Sequence, residues 1–344
     1  MTAETPRTMT VQELLDLVRA ALVGQGLSDT DAAAAADDFV SAEVAGVLTH
    51  GISKLVSMKF GRPNALPEEK SFGSMVVVDA KGANGIVLFR RLAERSVDLV
   101  AQNGCALIFA RNFSRYNSLY PYTEAVSRHG FISFLMNNAG PSAVAPFGSI
   151  DPITGTNPIC FSFPTQNGTQ TFDFPTSELP WGAIRRAAIE DQDLPERSFL
   201  DVHGEFTRDP SLANAVPAFG FAKGSALNLA IELICGAASG ASVGGQVDSE
   251  FDLGALFLSF DPERTGGTNF PSVASALFDE IRSSRPRDQA KEVRVPGDRL
   301  RGRSLLQTVG PEQLVPVPEL TFTLLERMSR GEAPEDLASN PRFN

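Results

Sequence analysis

The chain has 344 residues, 41 of them acidic and 30 basic, so its formal net charge is −11. With 42% apolar and 21% charged residues it reads as a soluble globular protein of roughly two domains, able to bury a core without disulfides or metals. The acidic balance argues against nucleic acid, no run of about 18 apolar residues argues for a membrane span, and the N-terminus lacks a secretory signal, leaving the cytoplasm as the expected compartment.

Residues 9 to 60 read as helical. Leu14, Leu15, Val18 and Leu22 form an apolar stripe at helical spacing, broken by Gly24 and Gly26. Ser28, with Asp29 or Asp31, offers cap chemistry for a second, alanine-rich helix that buries Phe39, Val40, Val44 and Val47. Residues 61 to 69 carry prolines and charge and read as a linker. Short apolar runs at 75–78, 106–110 and 131–136 then alternate with helical stretches at about 86–103 and 118–129. That alternation predicts an α/β fold. Further strands are expected at 158–163 and 171–174, and helices at about 227–238, 270–284 and 317–330, with 286–303 at the surface.

Scarce residues narrow the chemistry. Cys105, Cys160 and Cys235 are too few and too far apart for a disulfide framework or a zinc knuckle, so inert buried thiols and no metal are expected. Histidine occurs at three positions. His129-Gly130 reads as a helix end with a glycine cap, and His203-Gly204 as a turn between Asp201 and Glu205, which leaves His50. All three tyrosines, Tyr116, Tyr120 and Tyr122, fall within one short window. Neither G-x-G-x-x-G, nor a Walker A sequence, nor H-E-x-x-H occurs. One G-x-S-x-G match, at Gly240 to Gly244, follows a helical stretch and has no histidine after it, so it reads as a small-residue turn.

Four segments stand in order along the chain: Ala45-Gly46-Val47-Leu48-Thr49-His50-Gly51-Ile52-Ser53-Lys54; Pro146-Phe147-Gly148 with Gly155-Thr156-Asn157-Pro158; Phe172-Asp173-Phe174-Pro175-Thr176-Ser177; and Phe219-Gly220-Phe221-Ala222-Lys223-Gly224-Ser225-Ala226-Leu227. Together the set resembles the type-2 malate/L-lactate dehydrogenase family over about residues 10 to 330. Lys223 to Leu227, Leu119-Tyr120-Pro121 and Pro296-Gly297-Asp298-Arg299 are similar to its Δ1-piperideine-2-carboxylate/Δ1-pyrroline-2-carboxylate reductases. The resemblance implies a non-Rossmann malate/sulfolactate dehydrogenase-like fold. A mixed-sheet nicotinamide-binding region at 71–303 would join a helical domain built from both chain ends, 1–70 with 304–344. It also implies a homodimer and hydride transfer between NADPH or NADH and a small 2-imino or 2-oxo acid.

Reduction of a C=N or C=O bond needs a proton donor beside the accepting heteroatom, and histidine suits that best. His50 matches the family's histidine. Asp173 matches an aspartate implied to relay with it, and Thr49 stands where the family usually has serine. Lys54 replaces a usual arginine implied to hold the substrate carboxylate. It would share a helical face with His50 if the helix continued. Arg115 falls where relatives carry a second histidine. It cannot donate a proton at neutral pH but can grip a carboxylate, so a swap of roles with Lys54 is expected. Tyr116 and Tyr120 would line the same pocket. On the cofactor side, the resemblance points to Gly140, Asp173, Phe174, Pro175 and Lys223. The tight turn at Thr156-Asn157 would let backbone approach the ligand, and Ser225 would help open a helix whose N-terminus favours a phosphate. Phe174-Pro175 and Phe221-Ala222 put bulk where relatives are smaller. Three outcomes follow: a reductase of cyclic 2-imino acids, a dehydrogenase of open-chain 2-hydroxy acids, or an altered homologue that only binds cofactor or metabolite.

Overall fold

The computed structural model describes residues 6–62, 65–184, 187, 192–247, 249, 251–298, 306 and 309–332. Arg299 and the chain from 333 onward lie outside them. The chain opens with a short strand, β1 (Arg7–Thr10), followed by α1 (Val11–Gly24) and α2 (Asp29–Val44). Thr10 and Glu13 form a capping box on α1, and Ser28 caps α2 through the Asp31 N–H at 3.1 Å. After α2 come a single turn at Leu48–His50 and the short α3 (Ile52–Leu55).

The central region holds β2 (Glu68–Phe72), β3 (Met75–Ala83), α4 (Gly85–Asn103), β4 (Cys105–Phe113), α5 (Tyr120–Ser127) and β5 (Ile132–Asn137). The two-residue β6 (Val144–Ala145) precedes β7 (Ile159–Thr165) and β8 (Gly168–Phe174). Three more two-residue strands, β9 (Phe199–Leu200), β10 (Phe206–Thr207) and β11 (Val216–Pro217), lead to α6 (Ala222–Ile231). Then come β12 (Gly254–Phe260), α7 (Phe270–Ser283), β13 (Leu314–Val317) and α8 (Glu319–Ser329).

Seven strands form one sheet in the order β2-β3-β4-β12-β5-β7-β8. Only β3 and β4 run parallel, joined through α4; the other neighbours are antiparallel, so the sheet is mixed. Asn84 caps α4 through the Ile86 and Val87 N–H groups, and Gly104 closes it at φ 85°. The two chain ends meet: β1 pairs antiparallel with β13, and Leu14, Val18, Leu22, Phe39, Leu324, Leu325 and Met328 share one buried cluster. Ile86 and Val87 of α4 join that cluster, while Phe89 and Leu92 of the same helix face the sheet-side core with Val76, Ile108, Leu135 and Phe257. One helix therefore ties both cores together.

Several expectations are corrected. The helical run over 9–60 is broken, because Gly46 turns left-handed at φ 71° and Gly51 is extended at ψ −160°. The linker at 61–69 runs into the edge strand β2. The sequence reading gave 254–260 no element, yet β12 lies at the centre of the sheet. Its first four residues are all buried, so that stretch lacks the alternation that marks a half-exposed strand. The helix expected at 227–238 begins at Ala222 and changes to a π-turn at Glu232–Gly236, where Glu232 accepts the Asn157 amide at 2.6 Å and the Gly244 N–H at 2.7 Å. Of the three thiols expected to be buried, Cys105 is exposed at the start of β4.

Candidate active site

His50 ends the single turn after α2. The Thr49 hydroxyl lies 3.0 Å from its Nδ1. A partner on one ring nitrogen restrains the orientation of the ring. The break at Gly51 means that His50 and Lys54 do not share one continuous helix; Lys54, half-buried, belongs to α3 instead. The turn is held from below by Glu43, from the last turn of α2. This carboxylate is buried and accepts the Ile52 N–H at 3.0 Å, and burial pushes its pKa up.

The loop between β4 and α5 connects the remaining candidates. Its Asn117 amide nitrogen donates to Asp38 Oδ2 at 2.8 Å and to the His50 carbonyl at 3.1 Å. At the far end of the loop, Asp173 Oδ2 accepts the Leu119 and Tyr120 N–H groups at 3.1 and 3.0 Å. Asp173 thus sits on the N-terminus of α5, where a carboxylate is favoured. Arg115 is half-buried and donates to the Gly140 carbonyl at 3.2 Å. Farther along, a Cβ placed on Gly182 would lie 3.7 Å from the Thr49 methyl, so the segment after Ser177 packs against the His50 turn.

The two tyrosines expected to line the pocket are both nearly buried. Each is 7% exposed and belongs to the sheet-side core. Tyr116 stacks edge-on against Phe89 and bonds Asn137, while Tyr120 bonds Asp38. Asp38, Asn117 and Glu43 are absent from the sequence-derived site. The one available signal was the acidic pair Asp37-Asp38 inside an alanine-rich helix.

The expected cofactor residues divide into two groups. Asn157 is fully buried and spends its side chain on Asn228, Glu232 and the Ala139 N–H. Thr156 lends its carbonyl to Thr176, and Ser225 accepts the Phe147 N–H at 3.0 Å. These three build the scaffold of the turn. Lys223 is exposed on the first turn of α6, beside Phe221, which is 68% exposed, and Phe174 and Pro175 also reach the surface in part. A cation at a helix N-terminus flanked by exposed aromatic rings suits a ligand that joins phosphate to flat rings. In the loop between β4 and α5, two buried polar atoms, Asn117 Oδ1 and Ser118 Oγ, have no hydrogen-bond partner among the described residues. The exposed Lys223 beside aromatic rings fits a dinucleotide. Among the described residues no group of acidic, histidine or cysteine side chains could hold a metal, and no helix is long and apolar enough to cross a membrane.

The malate/L-lactate dehydrogenase family model matches residues 9–308. An L-sulfolactate dehydrogenase of Methanocaldococcus jannaschii is 30% identical over 289 residues, covering 79% of this chain and 83% of its own. A Δ1-pyrroline-2-carboxylate reductase of Burkholderia multivorans is 31% identical over 273 residues, covering 74% and 80%. The crystal structure of a dehydrogenase from Sinorhizobium meliloti superposes with a TM-score of 0.82 at 26% identity, over 94% of this chain and 99% of that one. The fold, the His50 turn and these similarities together show that the chain belongs to the malate/L-lactate dehydrogenase family.

Proposed function

We propose that this oxidoreductase uses NADPH or NADH to reduce the C=N bond of a cyclic 2-imino acid, working as a cytoplasmic homodimer. The observation that carries the proposal is the Thr49–His50 contact at 3.0 Å. In the protonated imidazole Nδ1–H donates to the Thr49 hydroxyl, and the Nε2 proton is the one transferred to a substrate nitrogen, leaving a neutral ring. The bound nicotinamide supplies a hydride to the carbon of that bond. His50 gives the proton to the nitrogen and is recharged from solvent. Thr49 holds the imidazole, and Asp173 fixes the loop that touches the His50 carbonyl. Arg115 grips the substrate carboxylate, with Lys54 as a second cation. Lys223 pairs with a cofactor phosphate, and Gly140, Phe174 and Pro175 border the nicotinamide.

A sulfolactate dehydrogenase and a pyrroline-carboxylate reductase resemble this chain almost equally, so open-chain 2-oxo acids belong in the same assay. Oxidation of NADPH and of NADH is followed at about 340 nm, the absorbance of the reduced nicotinamide ring. The substrates are Δ1-piperideine-2-carboxylate, Δ1-pyrroline-2-carboxylate and a panel of 2-oxo acids. Turnover of the imines is expected. Turnover of oxo acids alone overturns the imine assignment, and turnover of nothing, with cofactor bound, leaves an altered homologue. Elution of the native protein at twice the chain mass tests the dimer.

A further inference from the structure

We propose that Asn117 is a positioning residue, clamping the backbone of His50 to Asp38 on α2; this rests on the role given to His50 above. The clamp is one amide. Nδ2 of Asn117 donates both to Asp38 Oδ2 at 2.8 Å and to the His50 carbonyl at 3.1 Å. Tyr120, at the start of α5, bonds the other carboxylate oxygen of Asp38. Asp38 thereby receives two donors from the loop that Asp173 fixes at its far end.

The amide can face only one way. Turned over, its oxygen would meet both the Asp38 carboxylate and the His50 carbonyl, which are acceptors themselves. In the orientation seen, Oδ1 is buried with no hydrogen-bond partner among the described residues. Asn117 also adopts φ 76°, a left-handed conformation that most side chains resist. An orphaned buried acceptor and a left-handed backbone are both unfavourable for folding alone. Local violations of this kind collect where a site must be held in one geometry. His50 lies within a single turn followed by an extended glycine, so few backbone bonds hold it. The Asn117 amide adds a side-chain bond to the His50 carbonyl.

Asn117→Gly isolates the amide, because glycine accepts the left-handed φ without strain. Asp38→Asn keeps an acceptor for Tyr120 but turns a donor toward Asn117. We expect Asn117→Gly to lower kcat about tenfold to a hundredfold, the scale of a small misplacement of a reacting group. KM and the dissociation constant of NADPH should stay within about threefold, and the solvent deuterium isotope effect should rise as proton transfer becomes limiting. Combined with Asp38→Asn, the losses should not add, since both variants cut the same bond. A second measurement does not depend on turnover. With three histidines, 15N-histidine NMR gives three pairs of ring signals, and His50→Ala identifies one pair. Asn117→Gly should shift or broaden the His50 signal and leave those of His129 and His203 in place. An unchanged His50 signal, or unchanged kcat and isotope effect in an enzyme that His50→Ala inactivates, overturns the clamp. Turnover that survives His50→Ala instead overturns the proton-donor role on which it rests.

Discussion

The carboxylate of Glu43 fills the space that a side chain on Gly51 would need: a Cβ built on Gly51 would lie 2.0 Å from Oε2. That same oxygen accepts the Ile52 N–H at 3.0 Å. The residue after the candidate proton donor is therefore small because a buried acid from α2 occupies its side.

Gly51→Ala should displace Glu43 and break this bond, leaving a buried polar pair unsatisfied at a cost of about 1–3 kcal/mol. Turnover should fall further than stability, since the displaced segment carries His50. Thermal unfolding and steady-state kinetics on one preparation check both. Parent-like values in both would mean that the turn tolerates the methyl.

Glu43 also makes a pH prediction. Burial raises its carboxyl pKa above the ordinary 4.5, outweighing the Ile52 N–H that favours the charged form. The folded state then binds this proton more tightly than the unfolded chain does. Its contribution to stability is full below pH 4.5 and is lost as pH rises through the raised folded value. Glu43→Gln should remove this decline, so the variant gains on the parent as pH rises through that window. Urea unfolding across the window measures it; parallel curves for the two proteins would contradict it.

Asp79 behaves in the opposite sense. Its burial would raise the pKa, but hydrogen bonds from Asn112, the Lys81 backbone and Arg111 prevail and hold it at about 2. Its stabilisation is present above the ordinary 3.8 and is lost as pH falls through about 2. Asp79→Asn should lower stability at neutral pH by up to about 2 kcal/mol. It should also be less sensitive than the parent to acid between those two values. Acid titrations followed by circular dichroism test the difference.

Asp173→Ala removes the acceptor for the Leu119 and Tyr120 N–H groups at the start of α5. A loss of about 1–2 kcal/mol is expected, as for other helix caps. Asp173→Asn keeps an acceptor and should recover most of that stability and, with the loop held, most of the turnover. If Asn leaves turnover low, the negative charge acts in the chemistry as well.

The thiols should separate by burial. Cys105 is exposed, whereas Cys160 and Cys235 are buried, and burial pushes the Cys235 thiol far above its usual range. A disulfide reagent should label one thiol per native chain quickly and the other two only in denaturant. Rapid labelling of all three would show that the core opens on the timescale of the experiment.

The sequence by itself determined the elements whose pattern is local. Apolar spacing marked α1, α4 and α7, the Ser28 cap marked α2, and ordered motifs around His50, Asp173 and Lys223 carried the family. What depended on partners distant in the chain was decided by the tertiary structure. β12 is buried on both faces over its first four residues, so only the strands on either side reveal its place. The tyrosine cluster looked like a pocket wall, but Phe89 and Phe113 enclose the Tyr116 ring and Asp38 takes the Tyr120 hydroxyl. Thr49 and His50 are neighbours in sequence, and their side-chain contact is local. Asn117 bonds the His50 carbonyl across 67 residues and Glu43 the Ile52 N–H across 9, while Asp38 connects to the turn through Asn117. No local pattern encodes such contacts, because a hydrogen bond depends on where the chain returns in space and not on spacing along it.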